Sequence, residues 1–226
     1  MALYHSPKIT TDGLILLLDA SDINSYPGTG STWYDLSQSQ NHFTLGGSPS
    51  YNILTGFRFQ NGSDAYYAIC NPFQFPISTV SMEVWYKTTT SGASILSYAV
   101  NGNDNHALLF SPENIALYGP TGAVSSGVNT ANNQWTQIVR TSERSSGSEI
   151  LYLNGANVFS TTIAAGTDFT TGGSLVIAQE QDCVGGCFDS GQALGGDVII
   201  VRLYNRVLTS TEVEKNYQAQ KTRFGL

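Results

Sequence analysis

Charge is scarce in this 226-residue chain: Asp, Glu, Lys and Arg together make up only 12% of it, and just ten residues are basic. No cluster of Lys or Arg occurs, and the net charge is −7. Nucleic acid and anionic membrane surfaces are thereby excluded as partners, since phosphate binding needs concentrated positive charge. So sparse a charge also argues against a helical bundle. Cysteine is nearly absent, and the three present, Cys70, Cys183 and Cys187, do not form an even disulfide framework. Met1–Pro7 lacks the basic and apolar regions of a secretory leader. The longest apolar run, Leu14–Leu18, is too short to span a bilayer. The expectation is a chain made in a reducing cytoplasm, without membrane insertion.

What is plentiful points to strands. Hydrophobic residues reach 41%, too many for disorder. Twelve Tyr, ten Phe and 23 Gly suit short strands joined by tight turns. The length fits one large sandwich, so a single domain over residues 1–226 is expected.

Strand patterns recur along the chain. Gly13–Asp19 is a continuous apolar run. Further strands are expected at Gly56–Phe59, Ala65–Ile69, Val80–Tyr86, Ile95–Val100, His106–Phe110 and Ile115–Tyr118. Trp135–Thr141, Glu149–Leu153, Ser174–Ala178 and Asp197–Tyr204 complete the set. In Val80–Tyr86, alternation puts Val80, Met82, Val84 and Tyr86 on one face, Glu83 and Trp85 on the other. Asn154-Gly155 is a strong hairpin dipeptide. Residues 91–93, 122–133 and 142–148 read as loops. The one helix starts after Leu208, where Thr209 or Ser210 can cap it and Glu212 and Glu214 follow. The fold class is therefore all-β: a two-sheet antiparallel jelly-roll sandwich with one short C-terminal helix.

The segment Ala178–Gln192 carries the most chemistry. It sets Glu180, Asp182, Asp189 and Gln192 around Gly185-Gly186. Calcium is a hard cation that takes six to eight oxygens, and a glycine hinge lets oxygens converge. Three like charges so close repel unless a cation neutralises them. A solvated acidic loop is the competing reading of the same residues.

Residues 178–208, from Ala178-Gln-Glu-Gln-Asp through Gly195-Gly-Asp to Tyr204-Asn-Arg-Val-Leu208, resemble the pentraxin signature. Ser97-Tyr-Ala-Val-Asn-Gly-Asn-Asp-Asn-His-Ala-Leu-Leu-Phe110 resembles an upstream segment of that family, in the right order. The resemblance implies a calcium-dependent binding module holding one or two Ca2+ ions. It implies side-chain ligands at Asp104, Asn105, Glu180 and Asp182, and a backbone carbonyl at Gln181. Asp189 and Gln192 would complete a second position, with Glu180 and Asp182 bridging; Asp189 stands where the family has the longer Glu. Read without it, Asp104-Asn105 is also an ordinary Asx turn.

There are departures. The family disulfide has no counterpart, because the matching strands carry Val80-Ser-Met-Glu83 and Ile138-Val-Arg-Thr141. Cys183 and Cys187 stand inside the calcium loop. Free thiols are the expected state; an air-formed loop disulfide and a soft-metal site are the alternatives, and zinc would want two more soft ligands. Phe110 matches a family aromatic of the ligand pocket, but the choline-binding acid has no counterpart, so phosphocholine recognition is not implied. His106 reads as a hydrogen-bonding residue. Exposed aromatics, Tyr98 or Phe188, would favour sugar stacking, with sandwich core as their competing assignment.

Gly13–Asp22, Ser25-Tyr-Pro-Gly28 and Thr32–Ser37, with Asn41-His42 and Gly62–Tyr66, are similar to the opening of concanavalin A-like, laminin-G-type domains of phage and viral structural proteins. That likeness implies a virion location, as a capsid decoration, fibre or tail component. Glycan, another virion protein or further copies in a homo-oligomer are then the expected partners. A purely architectural role is one rival. A glycoside hydrolase is the other, since Glu180-x-Asp182 puts two carboxylates on one strand face. Its third acid would fall at Gly185, and no other catalytic motif occurs, so a non-enzyme is expected.

Overall fold

A computed structural model describes residues 8–226; the leader expectation drawn from Met1–Pro7 lies outside them. The strands are β1 (Leu14–Asp19), β2 (Thr32–Trp33), β3 (Phe43–Gly46), β4 (Ser50–Asn52), β5 (Gly56–Phe59), β6 (Tyr67–Phe73), β7 (Thr79–Thr88) and β8 (Ser94–Val100). They continue as β9 (Asn103–Phe110), β10 (Ala116–Gly119), β11 (Gly122–Ser125), β12 (Thr136–Glu143), β13 (Ser148–Leu153), β14 (Ala156–Thr162), β15 (Gly173–Ile177) and β16 (Gly196–Tyr204). One α-helix, α1 (Ser210–Gln220), follows.

These strands form two antiparallel sheets. The first runs β14-β13-β12-β7-β16-β5-β4, with β1 also on β16; the second runs β11-β10-β9-β8-β15-β6-β3-β2. Their inner faces share one core, with Trp33, Phe57, Phe73, Val84, Tyr98, Leu109, Leu175 and Val201 at or near zero exposure. Burying each such side chain favours folding by about 1.5–3 kcal/mol. All eleven sequence-expected strands form, within a few residues of their expected ends.

Five more strands were not expected: β2, β3, β4, β11 and β14. Three of these are at most four residues long and lie near sheet ends, where sequence alternation is too brief to register. β11 and β14 are edge strands exposed to solvent, so their pairing places little demand on residue type. The loop expectation at 122–133 is therefore corrected at Gly122–Ser125, which pairs with β10. The loop expectation at 142–148 is corrected at both ends: β12 continues through Glu143, β13 begins at Ser148, and Arg144 between them is buried. The β13–β14 hairpin does turn at Asn154-Gly155, whose φ values of 50° and 84° suit a type I′ turn.

Helix α1 begins where the sequence placed it. Thr209 caps it, accepting from the Glu212 N–H while the Glu212 carboxylate accepts from the Thr209 N–H. The helix and tail cover the outer face of the first sheet. Asn216 donates to Glu83 at 2.9 Å, and Phe224 stacks on Trp85 with ring centres 4.4 Å apart. The Glu83 side of β7 is thus buried, with Arg202 at 2.7 Å, Gln137 at 3.0 Å and Trp85 at 3.1 Å sharing one carboxylate oxygen. A second buried group, Arg140–Glu149–Arg144, ties β12 to β13, with Arg144 just past the end of β12. No helix among the described residues is long and apolar enough to cross a membrane.

Candidate metal centre

The site forms on the outer face of the second sheet. After β15 the chain reverses at Ala178, whose φ is 68°, and runs back over β8 and β15. Two glutamines fasten it. The Gln181 amide donates to Ser97 O at 3.1 Å, Ser97 Oγ at 2.9 Å and Ser174 O at 3.1 Å, and accepts from the Gly185 N–H at 2.9 Å. Gln179 accepts Ser97 Oγ on its carbonyl at 2.9 Å and sends its amide to Ser63 O at 3.3 Å. Small serines on the outward positions of β8 and β15 leave room for this second layer. The sequence reading gave Gln181 only a backbone role and overlooked Gln179, Ser97 and Ser174. The alternation Gln179-Glu-Gln-Asp182 was the available signal: two anchors interleaved with two carboxylates.

The fold-back brings the distant segments together. Asp104, at the start of β9, and Asp182 line one recess of about 340 Å3, with Asn101, Asn103, Cys183 and Val184. Glu180 does not line this recess; it is only 3% exposed, and neither carboxylate oxygen has a hydrogen-bond partner. Burial pushes its pKa up to about 7, the Asp182 charge adds to the rise, and Asp104 and Asp189 add further. The nearby Gln181 N–H works the other way without reaching hydrogen-bond geometry. Gln192 Oε1 is also buried without a partner. A buried, unpaired carboxylate costs several kcal/mol unless something compensates it.

The gathering is incomplete in one respect. Among the described residues no three His, Cys, Asp or Glu side chains sit close enough to enclose an ion as they stand. Asp189 and one oxygen of Asp104 are engaged within the protein. Asp189 is exposed and caps the short turn Ser190–Gln192 by accepting from the Gly191 N–H at 2.8 Å. The Asn105 amide donates to Asp104 Oδ1 at 2.8 Å, leaving the Asn105 oxygen available.

Three sequence expectations are corrected here. The structure joins Cys183 to Cys187, their Cα atoms 5.4 Å apart, where free thiols were expected. Gly185, at φ 74°, and Cys187, at φ 56°, turn the chain tightly enough to bring the sulfurs together. Tyr98 is no ligand contact: it is fully buried, stacked on Phe75 at 4.2 Å, and its hydroxyl donates to Thr170 O at 2.8 Å. Phe188 is half-buried against Tyr67 at 4.5 Å, not the exposed aromatic that sugar stacking would favour, and Phe110, also half-buried, packs edge-on against Tyr118 at 6.2 Å. His106 is a buried hydrogen-bonding residue, its Nε2 accepting from the Thr170 N–H at 2.8 Å.

A neighbouring recess of about 270 Å3 shares Asn103 and includes Asn105, Tyr118, Pro120 and Thr121. A cleft of about 730 Å3 beside Asp19 and Arg223 lies at a different place and is bridged by their ion pair at 2.7 Å.

Comparison with known proteins fits this architecture. The Pentaxin family pattern matches residues 55–224. Human C-reactive protein is 27% identical over 167 residues, covering 71% of this chain and 75% of that protein. C-reactive protein 1.1 of Limulus polyphemus is 27% identical over 147 residues, and the match spans only 61% of that relative's length. Among solved structures, the heptameric SAP-like pentraxin of Limulus polyphemus aligns with a TM-score of 0.58 at 19% identity, over 70% of this chain and 78% of that one. The botulinum neurotoxin serotype G binding domain aligns with a TM-score of 0.68 at 16% identity, over 92% of this chain and 51% of that one, a likeness of fold alone. With three quarters of its length inside the matched region, the chain belongs to the pentaxin family, a non-enzymatic lectin-fold family.

Proposed function

We propose that the chain is a calcium-dependent binding module that recognises glycan, or a neighbouring protein, at the outer face of its second sheet. The observation that carries this reading is the Glu180 carboxylate: almost fully buried, unpartnered on both oxygens, and crowded by Asp182, Asp104 and Asp189. A divalent cation would supply the compensation that this carboxylate lacks. Asp104, Asn105, Glu180 and Asp182 would hold the ion by side-chain oxygens, with the Gln181 carbonyl. Asp189 and Gln192 would serve a second position, and the orphaned Gln192 Oε1 supports it. When bound, calcium supplies charge neutralisation and open coordination sites for a ligand's oxygens.

The chain's own residues do the rest. Gln181, pinned by Ser97 and Ser174, fixes the backbone between the two carboxylates. The recess walled by Tyr118 and Pro120 gives a bound sugar or peptide an apolar wall beside Asn105. Phe110 and Phe188 stand as supports of that face. Assembly into a homo-oligomer belongs to the same proposal.

A second reading places the module on a virion. It rests on the likeness of Gly13–Asp22, Thr32–Ser37 and Gly62–Tyr66 to laminin-G-type domains of phage and viral structural proteins.

A glycan array probed with and without chelator tests the main reading. Chelator-sensitive signal, lost in Asp182→Ala, is expected. Signal indifferent to chelator would refute it, and release of reducing sugar would make the protein a hydrolase.

A further inference from the structure

We propose that the Cys183–Cys187 bond is a thiol–disulfide exchange site that controls the cation loop: reduction by a dithiol loosens the loop and weakens calcium binding. The inference rests on the calcium reading above. Cys183 directly follows Asp182, and Cys187 stands two residues before Asp189, so the bond ties one half of the ligand loop to the other.

Little else does so. Inside the loop, the Gly186 N–H donates to Cys183 O at 3.1 Å and the Gly185 N–H to Gln181 Oε1 at 2.9 Å. Between Cys187 and Gly191 the chain meets the body through the Phe188 ring on Tyr67 and the Ser190 carbonyl, which accepts from the Gly62 N–H at 3.1 Å. Cys187 also holds a left-handed backbone, φ 56°, which a residue with a Cβ adopts reluctantly. Cutting the bond frees that residue to relax and loosens the segment that carries Asp189. The loop then has to be ordered again whenever an ion enters, at the expense of affinity.

The two residues differ in exposure: Cys187 is exposed and Cys183 half-buried, so attack is assigned to Cys187. A thiolate of the dithiol forms a mixed disulfide with Cys187 and displaces the Cys183 thiolate, which takes up a proton. The reagent's second thiolate then attacks its own sulfur in that mixed disulfide, releasing Cys187 as a thiol and leaving a cyclic disulfide. Two electrons and two protons pass from reagent to protein. The remaining thiol, Cys70, takes no part: it is buried in β6, and burial pushes its pKa up to about 11.

Calcium titration by calorimetry tests the proposal on the full chain, oxidised and after dithiothreitol. A Cys183→Ser/Cys187→Ser variant imitates the reduced state without reagent. The dissociation constant is expected to rise about tenfold in both, a part of the constraint a short closed loop supplies. Cys70→Ser should respond to dithiothreitol as the unaltered chain does, and circular dichroism should show the sandwich intact throughout. Calcium binding by the oxidised chain with equal affinity after reduction would overturn this proposal alone. No binding heat in either redox state would overturn it together with the calcium reading.

Discussion

Glu180→Gln should change the stability of this protein in opposite directions depending on whether calcium is present. The substitution keeps the shape of the side chain and removes its charge. At pH 8 the unaltered carboxylate, whose pKa is raised to about 7, is mostly ionised in the metal-free protein, buried and without a hydrogen-bond partner. Its neutral replacement removes the crowding with Asp182, Asp104 and Asp189, although the amide gains no partner of its own. Relief of about 1 kcal/mol is a reasonable magnitude for such an exchange. For a domain of this size that corresponds to a melting temperature about 2–4 °C higher in chelator. In calcium at 100-fold over the dissociation constant, binding stabilises the unaltered chain by about 2.7 kcal/mol, and the variant loses most of this. The variant should therefore melt several degrees below the unaltered chain in calcium and a few degrees above it in chelator. Differential scanning calorimetry of both proteins in both buffers reads the crossing directly. A variant that melts lower in both buffers would refute the reasoning, since Glu180 would then be an ordinary structural residue.

Glu149→Ala leaves Arg140 and Arg144, both fully buried, without their shared carboxylate, and should destabilise the fold by about 3–5 kcal/mol in urea titration; a loss under about 1 kcal/mol would contradict the burial. Native Cys70 should resist thiol reagents at pH 8, because its thiol is buried and pushed up to about 11, and should react only after unfolding. Thr209→Ala removes the cap of α1 and should cost about 1 kcal/mol by the same titration. The Glu212 carboxylate is held down to about 2 by Arg206, so the helix anchor is strongest above the ordinary carboxylate range and weakens as pH falls from about 4.5 towards 2. That partly exposed pair should contribute under about 1 kcal/mol, visible as a shallow acid slope that Arg206→Ala flattens.

The strands legible in the sequence were those whose burial forces a pattern. β7, β8, β15 and β16 are covered on both faces or alternate strictly, so few residue types fit them. β11 and β14 lie at sheet edges in solvent, where a Gly-Ala-Val-Ser or an Ala-Asn-Val-Phe run serves as well as many others. The site was legible as a list of oxygens and as two segments, because acidic residues beside glycines carry their chemistry openly. Its construction was not. That the chain doubles back over Ser97 and Ser174, fastened by Gln179 and Gln181, depends on the outward face of a neighbouring strand, which local sequence does not reveal. Tyr98 misled for a related reason: its place beside a binding segment says nothing about which face of β8 it occupies, and it points into the core. The pairing of Cys183 with Cys187 is a property of the backbone turn between them.

On the proposed reading Asp104 and Asp182, 78 residues apart in the chain, serve one shared cation. A double-mutant cycle of calcium affinities measures this most directly, using the unaltered chain, Asp104→Ala, Asp182→Ala and the pair together. Each single substitution should weaken binding at least about tenfold, and the double should lose markedly less than the sum, as coupled residues of one site do. Full affinity in Asp104→Ala, or strictly additive losses, would mean that the two segments meet without sharing an ion.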